Sequence, residues 1–161
     1  MSEASSFDFE LARKVHAIAS KAKDSAPFWI STPSGEYETN NGNDWCETCA
    51  VFIFRHLRKK DRKRAADYFL DGGSRAESDS HRFCAHCSCW LRVSLTGYGV
   101  EEELHHYREN GIGLNSVVDE AYSLDLLLNA VSWRGDHEEE VLAIARDFMA
   151  LPQVSAMMEA S

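Results

Sequence analysis

No stretch of this chain approaches the roughly 18 uncharged apolar residues that a membrane span requires, so no transmembrane helix is expected. The opening residues, MSEASSFDFELARK, carry acids and lack the leading basic region of a secretory signal. A cytoplasmic setting is the expectation, and stable disulfides are rare there. No repeat of solenoid length is evident. Signatures of catalysis are missing too. No serine sits in G-x-S-x-G, and the H-E-x-x-H helix motif is absent. GYGVEE and GIGLN each hold a G-x-G, but neither follows a parallel-type strand or completes the phosphate-loop fingerprint. No cysteine pair follows a proline with H-x-E upstream, as zinc deaminases require. These absences argue against an enzyme.

What is present begins with size and charge. A chain of 161 residues, 44% apolar, predicts one domain with a real core. The net charge of −9 argues against a general nucleic-acid binder. The charge is unevenly placed, however. Residues 55–64 hold seven basic side chains against one acid, Asp61, a local +6. The remaining 10 basic and 25 acidic residues carry −15.

Periodicity predicts a mainly α (α+β) fold, with about five helices packed around one core and a small β-hairpin or zinc-knuckle element. Phe7, Leu11, Val15, Ile18 and Ala22 recur at helical spacing, with Ser5 or Ser6 as cap. FWIST and YET read as strands pairing across PSGE. From Glu47 the pattern is that of a long or broken helix as far as about Leu70. Residues 71–80, DGGSRAESDS, have the composition of a mobile loop. Leu91, Val93 and Leu95 alternate with polar residues as a half-buried strand does. Residues 100–110 read as a helix with Glu101, Glu102 and Glu103 in its first turn. The segment 116–133 is apolar on nearly every side, the mark of a central helix. Asp136 with Glu139 reads as a capping box for a last helix, 137–150. The whole, 1–161, is expected to be a single zinc-stabilised domain.

The metal expectation rests on four cysteines, Cys46, Cys49, Cys84 and Cys87, in the spacing C-x2-C-x34-C-x2-C. Two residues between thiolates let one tight turn aim both sulfurs at a shared point. Two such turns complete the tetrahedron that Zn2+ accepts in structural sites. Cys49 falls at a helix start, where the dipole favours the thiolate. Trp45 and Phe83 precede the two pairs and are placed to shield the sulfurs. The pattern resembles zinc-ribbon and zinc-knuckle proteins, although Ala50 and Ser88 stand where those proteins often have glycine. Ordinary reduced cysteines and a redox C-x-x-C are the competing readings. The redox one wants a βαβ context that is missing here. One of Cys89, His81 and His86, which lie close by, is a candidate to replace a ligand; the favoured reading puts Cys89 in the core and the two histidines in solvent or beside the ligands. Four thiolates leave no open position, so the expected zinc is structural.

Two further features compete for attention. His105, His106 and His137, with Asn110 and Asn115, weakly resemble metal-dependent HNH-type nucleases. Adjacent helix residues point about 100° apart, however, so His105 and His106 do not easily face one metal. Arg55, Arg58, Lys59 and Arg62 share one helical stripe, and Lys63 and Arg64 widen it. That stripe is read as solvated, as paired with acids such as those at 101–103 or 138–140, or as a surface for nucleic acid or an acidic partner. No aromatic residue interleaves with it. The expected function is a non-catalytic regulatory or interaction protein that binds another macromolecule, a protein in the first instance. An inhibitor of a nucleic-acid-binding machine would suit the acidic remainder. The alternative is a nucleic-acid-binding module using Arg55, Arg58, Lys59, Arg62 and Lys63. A metal-dependent hydrolase comes third.

Overall fold

The computed structural model describes residues 7–33 and 44–160. The chain runs α1 (Phe9–Ala19), β1 (Asp24–Ser25), β2 (Phe28–Ser31), α2 (Glu47–Lys60), a 3-10 helix (Arg62–Asp67) and β3 (Phe69–Gly72). It continues β4 (Ala76–Ser78), β5 (Arg82–Phe83), β6 (Trp90–Leu91), β7 (Val93–Leu95), α3 (Gly97–Asn110), α4 (Val117–Arg134), α5 (Glu138–Ala150) and α6 (Pro152–Glu159). The protein is mainly helical, with a few small sheets. It divides into two compact units. Lys23–Val93 forms one, and the flanking segments Met1–Ala22 and Ser94–Ser161 together form the other.

The flanking segments make a helical unit centred on α4, which is buried nearly all round, from Ala121 to Val131. Ser116 caps it, its hydroxyl accepting from the Asp119 N–H at 3.2 Å. Gly135 ends it in the left-handed region, φ 82°. α1 buries Leu11, Val15, Ile18 and Ala19 and packs on α4 and α5. Its cap is Asp8, whose carboxylate accepts from the Leu11 N–H at 3.0 Å. Ser5 and Ser6, expected in that role, lie outside the described residues. α3 starts at Gly97 rather than 100 because the Thr96 hydroxyl accepts from the Gly99 N–H. Glu101, Glu102 and Glu103 therefore fall past the first turn. His137, not Asp136, occupies the cap of α5, at φ 65° and without a side-chain cap bond. Each fully buried Leu, Ile, Val or Phe in this core contributes about 1.5–3 kcal/mol.

The inserted unit, Lys23–Val93, is built differently. β2 pairs antiparallel with β3, Ile30 opposite Leu70 and Phe28 opposite Gly72. The expected partner strand at 37–39 lies outside the described residues. Gly72 has φ 128°, and a Cβ there would stand 2.4 Å from the Pro27 carbonyl, so only glycine fits. Residues 71–80, read as loop, thus carry the end of β3 and all of β4. The long or broken helix expected as far as about Leu70 is a broken one: α2 stops at Lys60 and the 3-10 helix carries on to Asp67. Asp61 leaves helical geometry and collects hydrogen bonds from Arg64 Nε and Tyr68 Oη, both at 3.2 Å. These local bonds compete with helix continuation. β1 pairs parallel with β6, and β5 antiparallel with β6. Leu91, Val93 and Leu95 are buried while Arg92 is exposed, the alternation read from sequence.

Candidate metal centre

The inserted unit builds its core from Ile30, Trp45, Cys46, Ala50, Cys84, Cys89 and Leu91. Trp45 exchanges two backbone hydrogen bonds with Phe28, each 2.9 Å, which ties the cysteine segment to β2. Cys46 follows in extended conformation as the cap of α2, and Cys49 lies in that helix's first turn. The first pair therefore straddles a helix N-terminus.

The second pair sits on a tight turn. The Cys84 N–H donates to the Cys89 carbonyl at 2.8 Å, and the Ser88 N–H to the Cys84 carbonyl at 2.9 Å. The Cys87 N–H points at Cys84 Sγ, 3.5 Å away. Ser88 closes the turn at φ 64°. That is the left-handed geometry for which zinc knuckles often use glycine, so serine here carries strain of about 1–2 kcal/mol. Ala50, the other departure, is an ordinary helical residue. The two pairs are joined by the Ala85 N–H, which donates to the Asp44 carbonyl at 3.0 Å, and by Arg82 against the Asp44 carboxylate at 3.5 Å. Burial raises the Asp44 carboxyl above its ordinary value, and the Arg82 guanidinium pulls it part of the way back.

All four sulfurs, of Cys46, Cys49, Cys84 and Cys87, lie within 4.8 Å of one another. Cys46 Sγ and Cys87 Sγ stand 3.7 Å apart. A disulfide would bring them to about 2.05 Å, and all five cysteines are free thiols. A tetrahedral ion with metal–sulfur bonds of about 2.3 Å sets its ligands about 3.8 Å apart. The group fits a metal ion of that kind. Among the described residues, it is the one cluster of histidine, cysteine and acid donors that converges in this way.

The sulfurs differ in environment. The Cys89 N–H, with further hydrogen bonds from the neighbouring thiols, outweighs partial burial at Cys87 and holds that thiol down to about 6. At Cys84 burial pushes up, but backbone hydrogen bonds from Cys87, Cys46 and His86 prevail and the thiol lies below its ordinary value. Burial, reinforced by the neighbouring thiols, raises Cys49. Cys89 is pushed up to about 12, first by burial and then by the sulfurs of Cys87 and Cys46. It stays a thiol at neutral pH and sits in the core beside the four. His81 packs edge-on against Trp90, ring centroids 5.4 Å apart, and His86 is exposed. None of the three alternative ligands belongs to the converged group. Trp45 is buried against the site as expected. Phe83 leans on Trp90 and remains half exposed, and Cys87 itself is exposed, so the rim of the site is open to solvent.

The other sequence candidates do not assemble. His105 and His106 are both exposed on α3, and His106 Nδ1 lies 3.2 Å from the Asn110 amide. His137 pairs instead with Glu101. In the basic run, Arg58 is committed locally. Its Nε donates to the Ala65 carbonyl at 3.0 Å and its guanidinium lies 5.3 Å from the Phe54 ring centroid. Arg64 pairs with Asp61. Glu101 and Glu140, offered as partners for this run, pair with His137 and Arg108. Arg55, Lys59, Arg62 and Lys63 are exposed, and none of the ion pairs among the described residues involves them. Sequence reading missed Phe52, which is 69% exposed on the same helix. The signal was available: Phe52 falls off the Ala50–Phe54–Leu57 face.

No protein-family model matches this chain, and no curated protein or solved structure is significantly similar to it.

Proposed function

We propose that this protein is a non-catalytic, zinc-stabilised module that binds another macromolecule. The observation that carries the reading is the convergence of four cysteine sulfurs from two separated turns. Four soft thiolates in tetrahedral reach suit Zn2+, which has no geometric preference of its own to oppose them. Cys46, Cys49, Cys84 and Cys87 would all be ligands. They use every position, so no site remains for a substrate or an activated water. The bound ion would tie the 84–89 turn, acting as a zinc knuckle, to the first turn of α2. It would thereby add folding free energy to a unit with a small core.

Two surfaces of opposite charge support a binding role. The helical segments, 1–22 and 94–161, carry 16 acids against 6 basic residues. They suit a basic protein partner in a cell-interior setting, as a regulator of a nucleic-acid-binding machine would. The exposed basic residues of α2 and the 3-10 helix make the second surface. The test is elemental analysis of reduced, purified protein. One zinc per chain is expected, with the zinc lost in Cys84→Ser. Reduced protein that is fully folded and free of metal would reject the reading.

A further inference from the structure

We infer that the exposed face of α2 is a binding site for single-stranded nucleic acid; this rests on the reading of the protein as a macromolecule-binding module. On a helix of 3.6 residues per turn, successive side chains are about 100° apart. Ala50, Ile53, Phe54 and Leu57 share the side turned into the metal unit's core. Phe52, Arg55, His56 and Lys59 share the opposite side, and all four are exposed. The 3-10 helix continues the positive charge with Arg62 and Lys63, also exposed.

Three features select the ligand. The first is charge. Arg55, Lys59, Arg62 and Lys63 take part in no ion pair among the described residues. Asp61, the acid within the run, is occupied by Arg64 and Tyr68. A polyanion is therefore the complement. The second is Phe52, a large apolar ring standing in water one turn ahead of Arg55 and His56 and two turns ahead of Lys59. An acidic peptide would satisfy the cations and leave the ring unmatched. A nucleobase stacks on it. The third is that such stacking needs unpaired bases, which a duplex keeps inside its own stack. Arg58 and Arg64, by contrast, are held within the fold and are not assigned to the ligand. The metal sulfurs Cys46 and Cys49 lie at the start of this same helix, so the ion would anchor the platform without touching the nucleic acid.

The experiment is fluorescence anisotropy with full-length, zinc-loaded protein and a fluorescein-labelled oligo(dT) of about 15 nucleotides, within the span of known single-strand sites. The salt titration should give a slope of about −3 in log K against log salt, about 0.7 for each of four phosphate contacts. Lys59→Ala should reduce that slope by about 0.7. Phe52→Ala should weaken binding about tenfold and leave the slope unchanged, because stacking is sequence-tolerant and uncharged. Three results would each overturn the inference: no binding at low salt, binding indifferent to Phe52→Ala, or equal affinity for a duplex of the same length. Displacement by polyglutamate at the same charge concentration would reassign the face to an acidic protein. In each case zinc content is measured on the same sample. Failure of this inference leaves a zinc-loaded protein that ignores oligo(dT), whereas failure of the metal reading leaves a folded protein without zinc.

Discussion

In the helical unit Ile18, Leu104, Leu124, Leu127, Val131 and Phe148 are almost wholly buried, and none of them is polar. The buried cluster of the inserted unit has seven members, three of which are cysteines. The charges differ as well. The helical segments carry 6 basic and 16 acidic residues, −10, while Lys23–Val93 carries 11 basic and 10 acidic, +1. The contrast shows two ways of holding a chain in one shape. Helices packed around α4 bury enough hydrocarbon to offset the backbone entropy of ordering them. Short strands, and an α2 that fully buries Ala50 alone of its residues, bury little, and in so small a unit a cross-link through a metal is a common remedy.

The sharpest way to break this contrast is to remove the cross-link. On the proposal that the four sulfurs hold zinc, chelation of the ion, or Cys84→Ser, should unfold the inserted unit, since structural zinc contributes on the order of 10 kcal/mol of apparent folding free energy. Peptide-resolved hydrogen exchange should show protection lost across 44–93 and kept in α4 and α5. Loss of protection in both units together would erase the distinction. Cys89→Ser, at a sulfur outside the ligand group, should cost only about 1 kcal/mol and keep the metal. The converse change, Phe148→Ala, should destabilise the helical unit by about 3–5 kcal/mol. Thermal unfolding would report it, with zinc content unaltered.

Smaller effects sharpen the same comparison. Ser88→Gly should stabilise the inserted unit by about 1 kcal/mol, because glycine accepts the left-handed backbone that serine is forced into. A slower release of zinc to a chelator would record it. In the helical unit the Arg108 hydrogen bond, at 2.6 Å, holds the Glu140 carboxyl below its ordinary value. The unfolded chain then binds a proton more readily than the folded one. The pair's contribution is present above the ordinary carboxylate value and is lost as pH falls through the lowered value of the folded chain. Both side chains are a third or more exposed, so solvent screening keeps the loss small. Comparing urea midpoints of wild type and Glu140→Gln at pH 7 and pH 3 tests this: the difference should shrink at the lower pH.

What sequence made legible follows the range of the interactions involved. C-x-x-C is a local geometry, so the four sulfurs could be named before their meeting was seen. The central helix was equally plain, since apolar residues on every side admit few alternatives. The partner of β2 was not, because β3 lies some forty positions later and pairing over that distance leaves no periodic trace. A break before Leu70 was allowed for, but its place, after Lys60, was not legible for a different reason. Ala65 and Tyr68 keep helical spacing, and only the side-chain bonds around Asp61 turn the chain away. The basic stripe was read as uniform. The fold divides it, turning Arg58 back onto Phe54 and Ala65 and leaving Phe52 in the open.

One pairing closes the inserted stretch on itself. β1 and β6 lie side by side in parallel, Asp24 opposite Trp90 and Ser25 opposite Leu91, with the Arg92 N–H on the Ser25 carbonyl at 2.8 Å and Arg92 within 3.6 Å of Asp24. The stretch 23–93 therefore enters and leaves at one place, zipped at its own neck. Its two ends are held together by the stretch itself, so a break in this pairing would free both at once.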